Sequence, residues 1–261
     1  MASVNHKTVW TLGVLRMIRL IIILLSVVVF LILSIPVFFV EWVIGKFAPH
    51  ARDISSLRIV QFMFKLILLL TGSKIRVIGE ENVPKDTPVL YIGNHRSYFD
   101  IVVTYARCPG LTGYVAKDSM KKIPLLSTWM KRLYCLFLDR SNIKEGMKTI
   151  LKGIEQIKGG ISMCIFPEGT RNKDADAPML PFKEGSFKMA EKTGCPIIPM
   201  ALTNTADVFE NHIPWIRPAN IILEYGKPIC VRELTKDERK FLGAYTQKAI
   251  QDMLDQHQNM L

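Results

Sequence analysis

Two residues whose types and spacing could do chemistry are His95 and Asp100, five positions apart. On one continuous α-helix they would lie about 140° apart and could not meet. A strand that ends at Gly93, a turn that carries His95 and a helix that begins near Asp100 would bring them together. Asp100 could then accept a hydrogen bond from one imidazole nitrogen and leave the other free to take a proton from a hydroxyl. The spacing predicts a general base for an alcohol, although a capped turn with a surface histidine would look the same.

A second group of polar residues lies in the segment Phe-Pro-Glu-Gly-Thr-Arg at positions 166–171. Gly169 would let backbone amides approach a ligand, Thr170 offers a hydroxyl, and Arg171 offers a planar fork that matches phosphate oxygens. Glu168 could accept a hydrogen bond from a substrate hydroxyl or hold Arg171 in place. The segment predicts a phosphate-binding loop, and the alternative is a turn with a surface salt bridge.

Two further cations follow other apolar segments. Arg140 could be a second phosphate ligand that Asp139 orients, or half of a solvated ion pair. Lys117 could stabilise an acyl oxyanion or bind a phosphate, or it could simply be solvated. Both are candidate site residues.

The elements that must position these residues alternate between strand and helix after residue 72. Punctuation by Gly, Pro and Asn separates them. Predicted strands are 75–78, 88–92, 111–116, 134–138, 161–166, 197–202 and 221–225. Predicted helices are 101–106, 124–132, 144–158, 185–192 and 236–256, the last started by a capping box of Thr235 and Glu238. This order predicts an α/β fold, a mostly parallel twisted sheet flanked by helices, preceded by an N-terminal membrane-associated helical segment. In such a sheet, residues that follow strand ends meet in one cleft, as His95, Arg140 and Glu168 would.

The N-terminal segment has no charged residue from 20 to 40, and a helix of that length reaches about 30 Å, the thickness of a bilayer core. A cleaved signal peptide is the competing interpretation, but the run is long for one and no small-x-small cleavage site follows it. Trp10 and Trp42 bracket the run as interfacial aromatics do, and Arg16 and Arg19 could reach headgroups. Positive charge flanks both ends, so the positive-inside rule does not orient the helix.

A second apolar run, at 59–70, is interrupted by Lys65 and is too short to span a bilayer. It could lie in the membrane interface as the second arm of a re-entrant hairpin, with Pro36 bending the first helix. The alternative is a signal anchor followed by a core helix. We expect residues 1–72 to form the membrane-associated part and residues 73–261 the catalytic domain.

The composition limits the chemical class of the partners. Lys and Arg number 34 against 23 Asp and Glu, a net charge of +11, which predicts an acidic partner such as anionic lipid or a phosphorylated substrate. The basic residues are dispersed and match no nucleic-acid-binding motif, so no nucleic acid is expected. Five cysteines at irregular spacing predict buried reduced thiols in a cytosolic domain.

Four short motifs in order give the chain a resemblance to a known family. They are residues 94–100, 137–140, 166–171 and 196–199, the last of which is an apolar strand. The resemblance that they carry extends from about residue 74 to residue 225. Together they resemble the glycerolipid acyltransferase family, most closely the bacterial 1-acyl-sn-glycerol-3-phosphate acyltransferases. One departure is Tyr134, where the family often has Gly at the start of its second motif.

The resemblance implies roles for the candidate residues. His95 would deprotonate the glycerol hydroxyl and Asp100 would orient it. The acceptor's glycerol phosphate would be bound by Arg140, Glu168, Gly169, Thr170 and Arg171. The implied reaction moves a fatty acyl group from an acyl thioester, acyl-CoA or acyl carrier protein, to the sn-2 hydroxyl of 1-acyl-glycerol 3-phosphate (lysophosphatidate), giving phosphatidate.

The same resemblance implies a site at the inner (cytoplasmic) membrane, with the catalytic domain facing the cytoplasm and membrane lipids as partners. No metal or cofactor is expected, because a thioester already has a good leaving group and no His-Glu-x-x-His motif occurs. Alternatives are acylation of glycerol 3-phosphate, of another lysophospholipid or of an outer-membrane lipid precursor. From other classes, a non-catalytic lipid-binding protein and a hydrolase stay open, although the Gly-x-Ser-x-Gly motif of serine hydrolases does not occur.

Overall fold

Apolar strand segments and amphipathic helices alternate after residue 72 and assemble into a single sheet with helices on both faces. The computed structural model describes residues 6–174 and 177–260, with side chains from residue 13 onward. The strands are β1 Lys74–Ile78, β2 Leu90–Gly93, β3 Thr112–Lys117, β4 Leu136–Leu138, β5 Ser162–Ile165, β6 Ile197–Thr203 and β7 Asn220–Tyr225. The helices are α1 His6–Phe47, α2 Pro49–Thr71, α3 Phe99–Tyr105, α4 Leu126–Arg132, α5 Ile143–Lys158, α6 Lys188–Thr193, α7 Lys236–Lys240 and α8 Leu242–Gln258.

The sheet has seven strands in the order β1-β7-β6-β2-β5-β3-β4. All neighbours are parallel except β6 and β7, which are antiparallel. The prediction of an α/β fold with a mostly parallel sheet is therefore confirmed, and β2 lies at the centre between β5 and β6. Because the carboxyl ends of β2, β3, β4 and β5 share one edge, the residues that follow them lie along that edge.

The strands are apolar along their length because both faces of the sheet are covered. Along β2, Tyr91 contributes to one hydrophobic cluster, while Leu90 and Ile92 contribute to the other. The first cluster contains the core side chains of α2, α3 and α4, and the second contains those of α5, α6 and α8. The N-terminal helices and α5 therefore lie on opposite faces of the sheet.

The N-terminal helices form an antiparallel hairpin that reverses at Ala48, the single residue between α1 and α2. Ser56 of α2 donates to Glu41 of α1 at 2.9 Å, and the Arg19 guanidinium lies beside Gly72 at the far end. Pro36 lies inside α1, and the helix continues through it. The interfacial position predicted for Trp10 lies outside the described side chains.

Two helices are long and apolar enough to cross a membrane by length and composition, residues Gly13–Phe47 and Pro49–Thr71. The apolar run at 59–70, expected to be too short to span, is part of this second, longer helix. In α1 only 11% of the residues in its most apolar stretch of 18 are buried, and the exposed apolar side chains cover the length of the helix. This surface indicates membrane association. In α2, by contrast, Leu57, Val60 and Met63 pack into the hydrophobic core, while Phe62 and Leu69 are exposed. The choice between a re-entrant hairpin and a signal anchor followed by a core helix stays a prediction.

The hairpin is fixed to the sheet through α4. Trp129 donates from Nε1 to Ser34 Oγ at 2.7 Å and packs between the rings of Phe30 and Phe38. Arg132 forms an ion pair with the buried Glu41 at 2.9 Å. The boundary predicted after residue 72 falls at the end of α2 and stays a prediction.

One predicted helix is wrong in detail. Residues 236–256 were expected as one helix, but Phe241 leaves helical geometry at φ −118° and ψ 42°, so α7 and α8 are separate. The amide of Gly243, in the first turn of α8, donates to the Glu184 carboxylate at 3.2 Å, which fixes the start of α8 against the turn Glu184–Phe187. The capping box of Thr235 and Glu238 is present at the start of α7.

Candidate active site

The turn between β2 and α3 brings His95 and Asp100 together as the spacing predicted. β2 ends at Gly93, α3 begins at Phe99, and His95 Nδ1 lies 2.8 Å from Asp100 Oδ2. Asn94 fixes the beginning of the turn, because its side chain donates to Leu202 O and accepts from Leu202 N on β6. The bend is therefore tied to the neighbouring strand on one side.

Asp100 is completely buried and receives several hydrogen bonds. Besides His95, the amides of Arg96 and Ser97 donate to Oδ2 at 2.7 and 2.8 Å. Thr205, in the turn after β6, donates to Oδ1 at 2.5 Å. The carboxylate thus has one orientation, and it presents Oδ2 to the imidazole.

The imidazole of His95 packs against an aromatic ring, and its Nε2 side is accessible. Its ring stacks on Phe166, with centroids 4.4 Å apart and an interplanar angle of 17°. Its side chain is 15% exposed, and Nε2 has no hydrogen-bond partner among the described residues. With Nδ1 occupied by Asp100, Nε2 is the nitrogen available to a substrate hydroxyl.

Glu168 supports the turn from β5, which is a different arrangement from the pairing with Arg171 considered above. Oε1 accepts from the amide of His95 at 2.6 Å, and Oε2 accepts from the amide of Leu180 at 3.0 Å. Burial raises the pKa of Glu168 above its usual value, and these two amides act in the opposite direction. In this structure both carboxylate oxygens bind backbone, so Glu168 positions His95 and the loop that follows β5.

Arg171 instead pairs with Glu210, at 2.9 Å between Nη1 and Oε1. Its guanidinium carbon lies 3.6 Å from the centre of the Tyr98 ring. Glu210 also accepts from the Tyr98 amide at 2.7 Å and from Ser97 Oγ at 2.6 Å. One carboxylate therefore connects the histidine turn to the arginine of the phosphate-binding loop.

Gly169 adopts φ +73°, a conformation that glycine adopts without strain. A Cβ at this position would lie 2.8 Å from Lys183 Nζ, so the Lys183 ammonium lies directly beside the loop. Thr170 is exposed at the tip. Lys183 is a cation near this loop to which sequence analysis assigned no role.

Lys117 and Arg140 lie on the other side of His95 from Glu210. Lys117 is the last residue of β3, and Arg140 follows β4 at the sheet edge. Three strand spacings, about 14 Å, separate β4 from β2. Both side chains are exposed. Asp139 accepts from Ser141, at 2.9 Å from the amide and 2.6 Å from Oγ, and among the described residues its carboxylate forms no ion pair or hydrogen bond with Arg140.

Arg171 pairs with Glu210, and Arg140 follows the edge strand β4, two strands along from β5, which leads into the loop of Arg171. The resemblance assigned both arginines to the same acceptor phosphate, and that assignment stays a prediction. Arg171 with the loop at 168–171 forms one cationic group, and Lys117 with Arg140 lies near the ends of β3 and β4 as a second.

A cavity of about 860 Å³ opens beside the turn on the β6 side. Its walls include Arg96, Arg171, Lys173 and Phe209, together with the end of α8. The Arg96 guanidinium donates to the carbonyl groups of Asp174 and Ala177, which holds the loop after Arg171 against the histidine turn.

Sequence analysis missed Glu210 and Thr205. Both lie in the polar turn that follows β6. Thr205 contacts Asp100, 105 positions away, and Glu210 contacts Tyr98 and Ser97, 112 and 113 positions away. No local pattern could have found them, because their contacts with the histidine turn depend on the pairing of β6 with β2.

Tyr134, the departure from the family pattern, has φ +60° and so adopts the conformation that suits Gly. Its hydroxyl contacts the Asp53 carboxylate of α2. Burial, then the Asp53 carboxylate, raise the pKa of Tyr134 to about 12. The Tyr134 side chain thus joins the turn before β4 to the N-terminal hairpin.

All five cysteines are free thiols in the structure. Cys108, Cys164 and Cys195 are buried, and burial raises the pKa of Cys108 to about 11. Burial makes these three thiols poorly reactive, and the reducing compartment stays a prediction.

Fold and site together define an α/β enzyme with an imidazole and carboxylate pair between two cationic groups. The sequence model of the acyltransferase family matches residues 74–203. The 1-acyl-sn-glycerol-3-phosphate acyltransferase of Saccharomyces cerevisiae is 34% identical over 213 residues, 81% of this chain and 67% of that protein. The enzyme of the same name from Borreliella burgdorferi is 34% identical over 73% of this chain and 76% of its own length.

A solved structure shares the fold. The 1-acyl-sn-glycerophosphate (LPA) acyltransferase PlsC from Thermotoga maritima superposes with a TM-score of 0.78 at 21% identity, over 92% of this chain and 96% of its own. The family model and the two relatives that are 34% identical, and not this structural likeness, show that the chain belongs to the acyltransferase family.

Proposed function

We propose that the chain transfers a fatty acyl group from an acyl thioester to the sn-2 hydroxyl of 1-acyl-glycerol 3-phosphate, giving phosphatidate. The observation that carries this proposal is the contact between His95 Nδ1 and Asp100 Oδ2 at 2.8 Å, with Nε2 open. The relatives named above support the choice of acceptor, because both carry the name of that activity.

The chemistry is a direct transfer. His95 Nε2 takes the proton of the acceptor hydroxyl as its oxygen attacks the thioester carbon. The new ester C–O bond forms, the C–S bond breaks, and the proton leaves with the thiolate. A positioned imidazole typically contributes about 10² to 10⁴ in rate. Asp100 holds the tautomer in which Nδ1 carries the proton and stabilises the imidazolium that forms.

The acceptor phosphate is assigned to the group formed by Arg171, Gly169 and Thr170. Arg171 supplies a planar fork that is already oriented by Glu210 and Tyr98, and Gly169 allows close approach of the backbone. Glu168 serves this site by holding His95 and the loop, not by contact with substrate. Lys117 and Arg140 are assigned to the thioester oxyanion or to a phosphate on the opposite side of His95.

Acyl-CoA and acyl carrier protein are both suitable donors, and we propose that neither metal nor cofactor takes part. The exposed apolar surface of α1 would keep the cleft at the membrane that contains its acceptor. We propose the inner membrane with the catalytic domain on the cytoplasmic side, where the free thiols are stable.

The test is product analysis of the purified full-length chain. It is incubated with lysophosphatidate and a panel of acyl thioesters, and the products are identified by mass spectrometry. Phosphatidate formed in proportion to enzyme supports the proposal. Free fatty acid without phosphatidate would identify a hydrolase, and preference for glycerol 3-phosphate or an unphosphorylated acceptor would overturn the acceptor assignment.

A further inference from the structure

Helix α5 carries an apolar row that the fold does not use. Ile143, Met147 and Leu151 are 85%, 62% and 54% exposed, at spacings of four residues that place them on one side of the helix. At 100° per residue Ile154 lies between Ile143 and Met147 around the helix, so the exposed row continues the apolar side that packs on the sheet through Gly153, Ile154 and Ile157. The early turns of that side are exposed and the later turns build the core.

A basic row runs beside it. Lys144, Lys148 and Lys152 each follow one member of the apolar row, and all three are exposed. Lys148 pairs with Glu145 at 2.7 Å, whereas Lys144 and Lys152 have no ion-pair partner in the part of the chain that the structure describes. Asn142 caps the helix by accepting from the amides of Lys144 and Glu145, so both rows are presented on an ordered helix.

Parallel apolar and basic rows on one helix are complementary to an amphipathic helix that carries acidic side chains. The net charge of +11 likewise favours an acidic partner. An anionic bilayer has the same chemistry, but it is already the partner of α1. Since α1 and α5 cover opposite faces of the sheet, a flat bilayer in contact with the exposed side of α1 would not reach the outward side of α5.

The position of α5 links this surface to the cleft. α5 begins three residues after Arg140, at the edge of the sheet where the strands that carry the site residues end. A protein docked on the first turns of α5 would lie at the rim of the cleft on the side of Lys117 and Arg140. The opposite side of His95 is the one assigned to the acceptor phosphate.

We propose that the exposed side of α5, defined by Ile143, Met147, Leu151, Lys144, Lys148 and Lys152, is the docking surface for an acyl carrier protein that delivers the thioester. The partner is an acidic helical protein with an acyl chain on a phosphopantetheine thiol. This inference rests on the proposed function for the donor class alone, and it adds the identity and the approach of the donor.

The experiment compares two donors with the same acyl chain, palmitoyl carrier protein and palmitoyl-CoA, with lysophosphatidate in vesicles. The variants are the charge reversal K144E/K148E/K152E and the polar replacement I143S/M147S/L151S. The control K236E/K240E/K248E changes three equally exposed lysines on α7 and α8, with the same change in net charge. Vesicle flotation and thermal unfolding are recorded for each variant.

Both α5 variants should raise the KM for palmitoyl carrier protein by about tenfold or more and leave kcat/KM for palmitoyl-CoA within about twofold of wild type. The control should leave both donors unchanged. Equal losses with the two donors, equal losses in the control, or a wild-type enzyme that uses palmitoyl-CoA but not the carrier protein would overturn the proposal. Loss of vesicle binding by the α5 variants would identify a bilayer as the occupant instead.

A direct binding measurement separates this inference from the proposed function. Fluorescence anisotropy of labelled holo-carrier protein, titrated with the full-length chain, requires no turnover. Binding that weakens about tenfold in the α5 variants supports the docking surface even for a chain that forms no phosphatidate. Absence of binding to the wild type, with phosphatidate formed from palmitoyl-CoA, contradicts the docking surface and leaves the proposed function standing.

Discussion

The Thr205 hydroxyl donates to Oδ1 of Asp100 at 2.5 Å, the carboxylate oxygen that His95 does not contact. Thr205 is 1% exposed and lies in the turn after β6, while Asp100 lies in the first turn of α3. A residue that never approaches the imidazole therefore fixes the carboxylate that orients it. We treat Thr205 as a positioning residue.

Thr205→Val keeps the shape of the side chain and removes the hydroxyl. A hydrogen bond to a charged group contributes about 1.5–3 kcal/mol, so we expect kcat to fall roughly tenfold or more with little change in the KM for either substrate. Steady-state kinetics with lysophosphatidate and a thioester measures this. Thr205→Ser, which restores the hydroxyl, should recover most of the rate, and a Ser variant as slow as Val would argue against the hydrogen bond.

Glu210→Ala removes the carboxylate that holds Arg171 and the backbone of the histidine turn. We expect the KM for lysophosphatidate to rise by about tenfold or more, because the guanidinium loses its orientation, while the KM for the donor changes little. Glu210→Gln keeps one acceptor and should lie between. A rise confined to the donor KM would contradict the assignment of Arg171 to the acceptor phosphate.

The raised pKa of Glu168 should make the stability of the folded chain depend on pH. Its raised pKa means that the folded chain holds this proton to a higher pH than the unfolded chain does. The free energy of unfolding therefore decreases as the pH rises from the unfolded pKa, about 4.3, through the higher folded pKa. The stabilising contribution of Glu168 is fully present only below the unfolded pKa. Glu168→Gln has no carboxyl group at this position, so its free energy of unfolding lacks this pH dependence.

Chemical unfolding of wild type and Glu168→Gln at a series of pH values from 4 upward measures the effect. The free energy of the wild type minus that of the variant should decrease with increasing pH. A difference that stays constant, or that grows with pH, would show that the two backbone amides outweigh the burial of the carboxylate.

Tyr134 offers a matched test of backbone strain. Tyr134→Ala and Tyr134→Gly both lose the contact with Asp53, but only Ala retains a Cβ at φ +60°. The Gly variant should be more stable than the Ala variant by about 1 kcal/mol. Denaturant unfolding of the two variants in the same detergent gives the comparison. Equal stabilities would mean that the turn relaxes out of the left-handed region when the side chain is removed.

The turn has limited freedom to relax in this way. A Cβ at Gly113 would lie 2.3 Å from the carbonyl oxygen of Tyr134, so β3 and the Tyr134 peptide are in close contact. Gly113 allows this approach because it has no side chain.

The sequence predicts the strands and the His95–Asp100 contact for a physical reason that these elements share. A strand covered on both faces is a short apolar run in the sequence. His95 and Asp100 are five positions apart, so the local turn alone determines whether they meet. Glu210 and Thr205 are different, because their partners are fixed by the pairing of β6 with β2 and not by any local pattern. Sequence spacing carries no information about which polar turn meets which strand end.

The partner of Arg171 escaped the sequence for the same reason. Glu168 and Arg171 are close in sequence, which made an ion pair plausible, but Glu168 is 4% exposed and is occupied by two backbone amides. The break at Phe241 also escaped the pattern, since residues 236–240 are all charged and have no apolar periodicity that could show where one helix ends and the next begins.

His95→Ala tests the central claim most directly. It removes the proposed base, and Asp100→Asn in parallel removes the charge that orients it. Initial rates of phosphatidate formation from lysophosphatidate and a saturating acyl thioester are measured by mass spectrometry, with unfolding curves to show that each variant is folded. We predict a loss of about 10² to 10⁴ in kcat for His95→Ala, with the KM values little changed. A folded His95→Ala enzyme that retains the wild-type rate would contradict the account.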